Sequence, residues 1–172
     1  MKIKNIRRFC SRHIPQLLMV IILLTACNYV AVAQEPTPRP ITATATKSLI
    51  FGSFYQGASG GTVAVSSAGI RSYGGSVVLL TMGTVSQATF EIVGNIGTPV
   101  SFLLPTSTLS DGNGHSLTLT IDDTNPGTPF VLTNDYPDPT SLYVGGSLTI
   151  GSPAVNPPGS YNGTFEIIFV QE

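Results

Sequence analysis

From Ile41 to the end of the chain, apolar and polar residues alternate with a period of two, and no stretch of ten residues carries a helical period. Such alternation puts successive side chains on opposite faces of a strand, so it restricts the chain to β structure. "ITATAT" sets Ile41, Ala43 and Ala45 against threonines, and "GTVAVS" alternates around Val63 and Val65. "QATFEIV" opposes Ala88, Phe90 and Ile92 to Gln87, Thr89 and Glu91. "VSFLL", "SLTLTID" and "SLYVGGSLTI" do the same with Val100, Phe102 and Leu104, with Leu117, Leu119 and Ile121, and with Leu142, Val144, Leu148 and Ile150. "SVVLLT" (Ser76 to Thr81) is continuously apolar, as a strand covered on both faces would be.

Breakers separate these runs: "GASGG", "SYGG", "VGNIGTP", "SDGNGH", "DDTNPGTP" and "NDYPDPT". Glycine supplies positive φ, proline fixes φ, and Asn and Asp make local turn bonds. Asn113-Gly114 is a hairpin signal. About eight short strands with turns at this spacing predict an all-β fold, an immunoglobulin-like antiparallel β-sandwich, with a barrel as the alternative. The glycine pairs at 60–61, 74–75 and 145–146 share no period, so the chain is not a repeat array.

The chain closes on "PPGSYNGTFEIIFVQE". Tyr161, Phe165, Ile167 and Phe169 form one face, while the other begins polar and turns apolar at Ile168 and Val170. A strand wet on one side should not do that twice running. The end of this strand is therefore expected to be covered on both sides, by a loop or by another chain. A central closing strand is the simplest account, and a strand-exchange edge at Ile168 and Val170 is the other.

The opposite end reads as an address. Lys2, Lys4, Arg7, Arg8 and Arg12 make a basic front, and Leu17 to Ala26 is an apolar run of ten residues. Ala31 and Ala33 then form a small-residue exit, so residues 1–33 are expected to be a secretory signal peptide cleaved after Ala33. The run is shorter than the roughly 20 apolar residues that span a bilayer. "LTAC" competes as a lipobox, with lipidation at Cys27. Residues 34–40 are a proline-rich linker, and 41–172 a single domain. Both cysteines, Cys10 and Cys27, lie within 1–33, so the exported domain has no disulfide.

Without the signal, three cations (Arg39, Lys47 and Arg71) face nine acids, a net charge of −6. No basic patch is available for a phosphate backbone, which excludes nucleic acid as a natural partner. A membrane partner is expected only through lipidation at Cys27.

Five motifs occur in order: "SLIFGSF" (48–54), "SGGTVAVSSAG" (59–69), "QATFEIVG" (87–94), "LYVGGSLTIG" (142–151) and "PGSYNGTFEIIFV" (158–170). Together they resemble the exported bacterial family catalogued as domain of unknown function 4402, over nearly all of 41–172. Gly159, Tyr161, Gly163 and Phe165 match the family's usual ending, and Val170 stands where a tyrosine is common. The ending and the "FG" of the first strand also resemble spore coat protein U domains. Those are associated with chaperone–usher pili, whose incomplete sandwiches take a strand from a neighbour. That likeness implies Ile168 and Val170 at the lip of a groove. The proline-rich linker suits a donor strand badly. Only "ITATATKSL" could serve as one, and the domain would then lose its first strand.

Chemistry-bearing groups are sparse. His115, in "DGNGHS", is the one histidine after the signal, and no nucleophile elbow accompanies it. Glu91, Asp111, Asp122, Asp123, Asp135, Asp138 and Glu166 offer no pair of carboxylates that spacing would single out for glycoside hydrolysis. No catalytic residue, cofactor or metal ligand is predicted. The acids of "DDTNPGTP" and "NDYPDP" are the loops where calcium would bind if anywhere, although turn chemistry explains them equally. Tyr55, Tyr73, Tyr136 and Tyr143 are the rings available to stack on a sugar. Asn162 opens a glycosylation sequon that matters only in a eukaryotic secretory path.

The sequence thus predicts a non-catalytic structural or adhesive module, fimbria-like in its fullest form, exported to the periplasm, cell surface or medium. Its partners would be copies of itself or other envelope proteins, met through a strand edge. The alternative is a carbohydrate-binding module, with or without calcium.

Overall fold

The computed structural model describes residues 39–172. The signal segment with its exit at Ala33, Cys27 and most of the linker lie outside the described residues. Twelve strands follow in order: β1 Thr42–Lys47, β2 Phe54–Tyr55, β3 Gly61–Val65, β4 Arg71–Gly75, β5 Val78–Leu79, β6 Ala88–Val93, β7 Pro99–Leu103, β8 Ser107–Ser110, β9 Ser116–Asn125, β10 Phe130–Val131, β11 Thr140–Ile150 and β12 Ile168–Gln171. All their pairings are antiparallel, and the fold is a β-sandwich.

β11 organises the larger layer. On one side it pairs with β9 along most of its length. On the other, its first half pairs with β6 and its second with β3. β1 extends the sheet beyond β6, β4 beyond β3, and β8 beyond β9. Gly145-Gly146 marks the fork, where the β9 register shifts. A Cβ on Gly145 would lie 2.3 Å from the Val65 carbonyl oxygen, so only glycine lets the two strands approach there.

The smaller layer has the order β10-β7-β12, and β2 pairs with β5 as a separate ribbon. The inward rows predicted for β6, β9 and β11 are all found: Ala88, Ile92, Leu117, Leu119, Ile121, Leu142, Val144, Leu148 and Ile150 are buried. The layers meet through aromatic rings. Phe90 of the large sheet lies 6.1 Å from Phe165 and 6.2 Å from Phe169, both edge-on, and Phe102 lies 6.1 Å from Phe169.

Loops are held by side chains. Buried Gln56 donates to the Asn156 and Gly151 carbonyls, while Asn156 accepts from Gly151 N–H and donates to the Ser116 carbonyl. Tyr161 Oη donates to the Pro157 carbonyl at 2.8 Å, a tyrosine corner that fixes the turn into the C-terminal segment. Arg71 ties the ribbon down by donating to the carbonyls of Phe51, Ser53 and Leu80.

Three expectations fail. "SVVLLT" is not covered on both faces: Val77 is buried, but Val78 and Leu80 are exposed because the run sits on the outer ribbon. "SYGG" is strand β4 rather than a breaker, and "DDTN" completes β9 instead of forming a loop. The closing strand is not central. Phe165 and Ile167 keep the alternating burial, yet residues 163–167 form no ladder, and β12 begins only at Ile168. β7 ends at Leu103, and through Pro105, which has no N–H to donate, the chain crosses to β8 in the other layer. The C-terminal segment therefore pairs with β8 only at the Ser110–Asn162 bridge and with β7 only along β12.

Candidate interaction face

β12 lies at the edge of the smaller sheet, and β7 is its one neighbour among the described residues. Cross-strand pairs share a face. Phe169 opposes Phe102 and points inward, so Ile168 and Val170, opposite Leu103 and Ser101, point outward. Val131 joins the same outer face, opposite Pro99.

That face is apolar and open. Ile168 is 52% exposed, Val170 46%, Leu103 63% and Val131 51%. Leu103, Ile168 and Val170 form one apolar patch, where single exposed apolar residues are the ordinary case, and Val131 stands apart at the Pro99 end of β7. Ser101 and Glu172 lie between on the same face and bond to each other. No described residue covers Ile168 and Val170, so the loop expected to cover the second face of this strand is absent among the described residues.

Pairing adds Leu103 and Val131, which the sequence left unmarked. "VSFLLP" holds two adjacent leucines, a break in the alternation that signals one apolar residue on the wrong face. Val131 sits in a two-residue strand too short to show a period.

The other singled-out residues stay apart. Asp111 and His115 face each other across the β8–β9 hairpin, with His115 Nδ1 2.7 Å from Asp111 Oδ2. Burial alone would raise the Asp111 pKa. The N–H of Asn113, the His115 ring and the His115 N–H outweigh it and bring the carboxyl from 3.8 down to about 2. Burial, and then the Asp111 charge, holds the Tyr161 phenol above its ordinary value, consistent with its donating role. Asp123 accepts from Ser67 N–H and Oγ–H, Asp122 from Ser147 Oγ–H, and Asp135 from Ile96 N–H. These carboxylates tie segments distant in sequence to one another. No cluster of three His, Cys, Asp or Glu side chains occurs among the described residues. Tyr55, Tyr73 and Tyr143 lie on β2, β4 and β11, and Tyr136, in the turn before β11, stacks under the Arg39 guanidinium at 4.0 Å.

Fold and face define an all-β sandwich module that exposes an apolar patch of Leu103, Ile168 and Val170 beside an open strand edge. The chain belongs to the family described as domain of unknown function 4402, whose model matches residues 41–170, as the five motifs implied. No curated protein and no solved structure matches it.

Proposed function

We propose that this protein is a non-catalytic structural or adhesive module of the cell envelope that associates with copies of itself. The observation that carries the reading is the open face of Leu103, Val131, Ile168 and Val170 beside the free edge of β12. An edge strand offers unpaired N–H and C=O groups, and antiparallel pairing of β12 with β12 of a second copy joins two identical apolar rows about a two-fold axis. Ile168 and Val170 themselves carry no charge, and the Glu172 carboxylate on the same face is held by Ser101.

Export is supported by the basic front, the short apolar run and the small-residue exit at Ala33. The two-fold pair closes as a dimer, so fimbria-like assembly would need a second, head-to-tail contact besides it.

The test has two parts. Fractionation of cells making the full chain should place it in the envelope or medium. Sedimentation of the purified chain should show concentration-dependent association. A cytoplasmic monomer would contradict both halves of the proposal.

A further inference from the structure

All six residues of β1 are exposed. Its register sets Ala43 opposite Ile92 and Ala45 opposite Phe90, so the two alanines take the inward places and fill little of the space there. A cleft of about 380 Å³ opens beneath its end, lined in part by Ala45, Lys47, Leu49, Phe90, Leu119 and Phe165. Among the described residues β6 is its one neighbour. The core rows of β3, β6, β9 and β11 are complete without any β1 side chain.

The strand is also bounded by a hinge. Its register breaks between Ala45 and Lys47. Just beyond, the chain is clamped again: Ile50 and Ser86 exchange both backbone hydrogen bonds, at 2.8 and 3.0 Å, and Ser86 Oγ donates to the Ser48 carbonyl at 2.8 Å. Thr46, Lys47 and Ser48 therefore lie between a weakened ladder and a fixed point. At its other end β1 is latched by Gln171, which accepts from Ile41 N–H at 3.2 Å and donates to the Arg39 carbonyl at 3.3 Å.

From this geometry we infer that β1 is an exchangeable strand, which leaves its own β6 and pairs with β6 of a second copy of this chain. Every contact β1 makes within its own chain can be remade in trans: the ladder to β6, the latch from Gln171 and the seat of Ile41. Opening disturbs no buried side chain of β1, because there is none. An edge segment with a short hinge and an identical acceptor is the situation in which strand swapping is favoured. Reciprocal exchange gives a dimer, and head-to-tail exchange gives a chain of subunits. This inference does not use the β12 face, and a variant that disables that face leaves the exchange intact.

Thr44 and Glu91 are directly opposed on the outer side of the ladder, at the separation that suits a disulfide. In the full chain carrying Cys10→Ser and Cys27→Ser, Thr44→Cys and Glu91→Cys are made singly and together. The two single variants are mixed under mildly destabilising conditions, returned to native buffer, oxidised and run on a non-reducing gel. Exchange predicts a mixed disulfide of two chain masses, well above that of either single variant alone and increasing with protein concentration. It also persists when Ile168→Lys and Val170→Lys are added. The double variant closes within one chain at high dilution, which reports the register itself. Absence of the mixed disulfide while the double variant closes would overturn the proposal. Failure of the double variant to close would overturn it equally, since the proposal rests on that register.

Discussion

Replacing Ile168 and Val170 together by lysine removes two of the three neighbouring apolar side chains of the patch while leaving the inward face of β12 untouched. Pairing of β12 with β12 sets these side chains beside those of the second copy, where each cross-strand apolar pair contributes up to about 1 kcal/mol. The two-fold pair holds two such contacts, so the double substitution removes about 2 kcal/mol from association. At 1.4 kcal/mol per factor of ten, self-association weakens roughly 30-fold. The side chains are already in water, so folding stability should stay within about 0.5 kcal/mol. Sedimentation velocity over a concentration series reads the first quantity, and urea unfolding reads the second. Unchanged association of a stably folded double variant would refute the assignment of this face.

Three further outcomes follow from the same contacts. Phe90→Ala removes the half-buried ring that meets Phe165 and Phe169 across the layers, and should lower unfolding stability by about 3 kcal/mol in urea titration; a loss well under 1 kcal/mol would mean the rings do not hold the layers. Gly145→Ala forces a methyl group to 2.3 Å from the Val65 carbonyl oxygen and should destabilise by at least ~2 kcal/mol, so an unchanged melting temperature would contradict the tight fork. The Asp111 carboxyl, held at about 2 rather than 3.8, favours the folded hairpin above the higher value, and that contribution is lost as pH falls through the lower one. An NMR titration should place the Asp111 midpoint near 2; an ordinary midpoint would show that the bonds from Asn113 and His115 do not persist in solution.

Much of the fold was legible where one face of a strand is buried. β6, β9 and β11 declare themselves because Ile92, Leu119 and Val144 must alternate with residues that stay wet. Legibility fails where alternation has another cause or none. "SVVLLT" reads as a doubly covered strand because a continuous run has no face. Its Val78 and Leu80 instead project from an outer ribbon held down by the Arg71 guanidinium. β4 and β8 are short edge strands of Arg, Ser, Tyr, Gly and Thr, whose composition signals turns as readily as ladders.

The interaction face was half legible. Ile168 and Val170 stand out within their own segment. Leu103 and Val131 join them only through the β7 register, which no local pattern encodes. That β12 is an edge, with residues 163–167 left unpaired, follows from where the chain turns through Pro105, a long-range consequence of the crossing to β8.

One measurement addresses location and interface together. Ile168→Cys and Val170→Cys are introduced singly into the full chain, expressed in the native cell, and the fractions run on non-reducing gels beside the unsubstituted chain. The account predicts a new disulfide-linked dimer in the envelope fraction for at least one variant, because a two-fold axis passing through β12 near one of these positions sets it against its own copy and the exported compartment is oxidising. Monomer alone in both variants, or protein confined to the cytoplasm, would contradict the claim that this chain is an envelope module joined through its terminal strand.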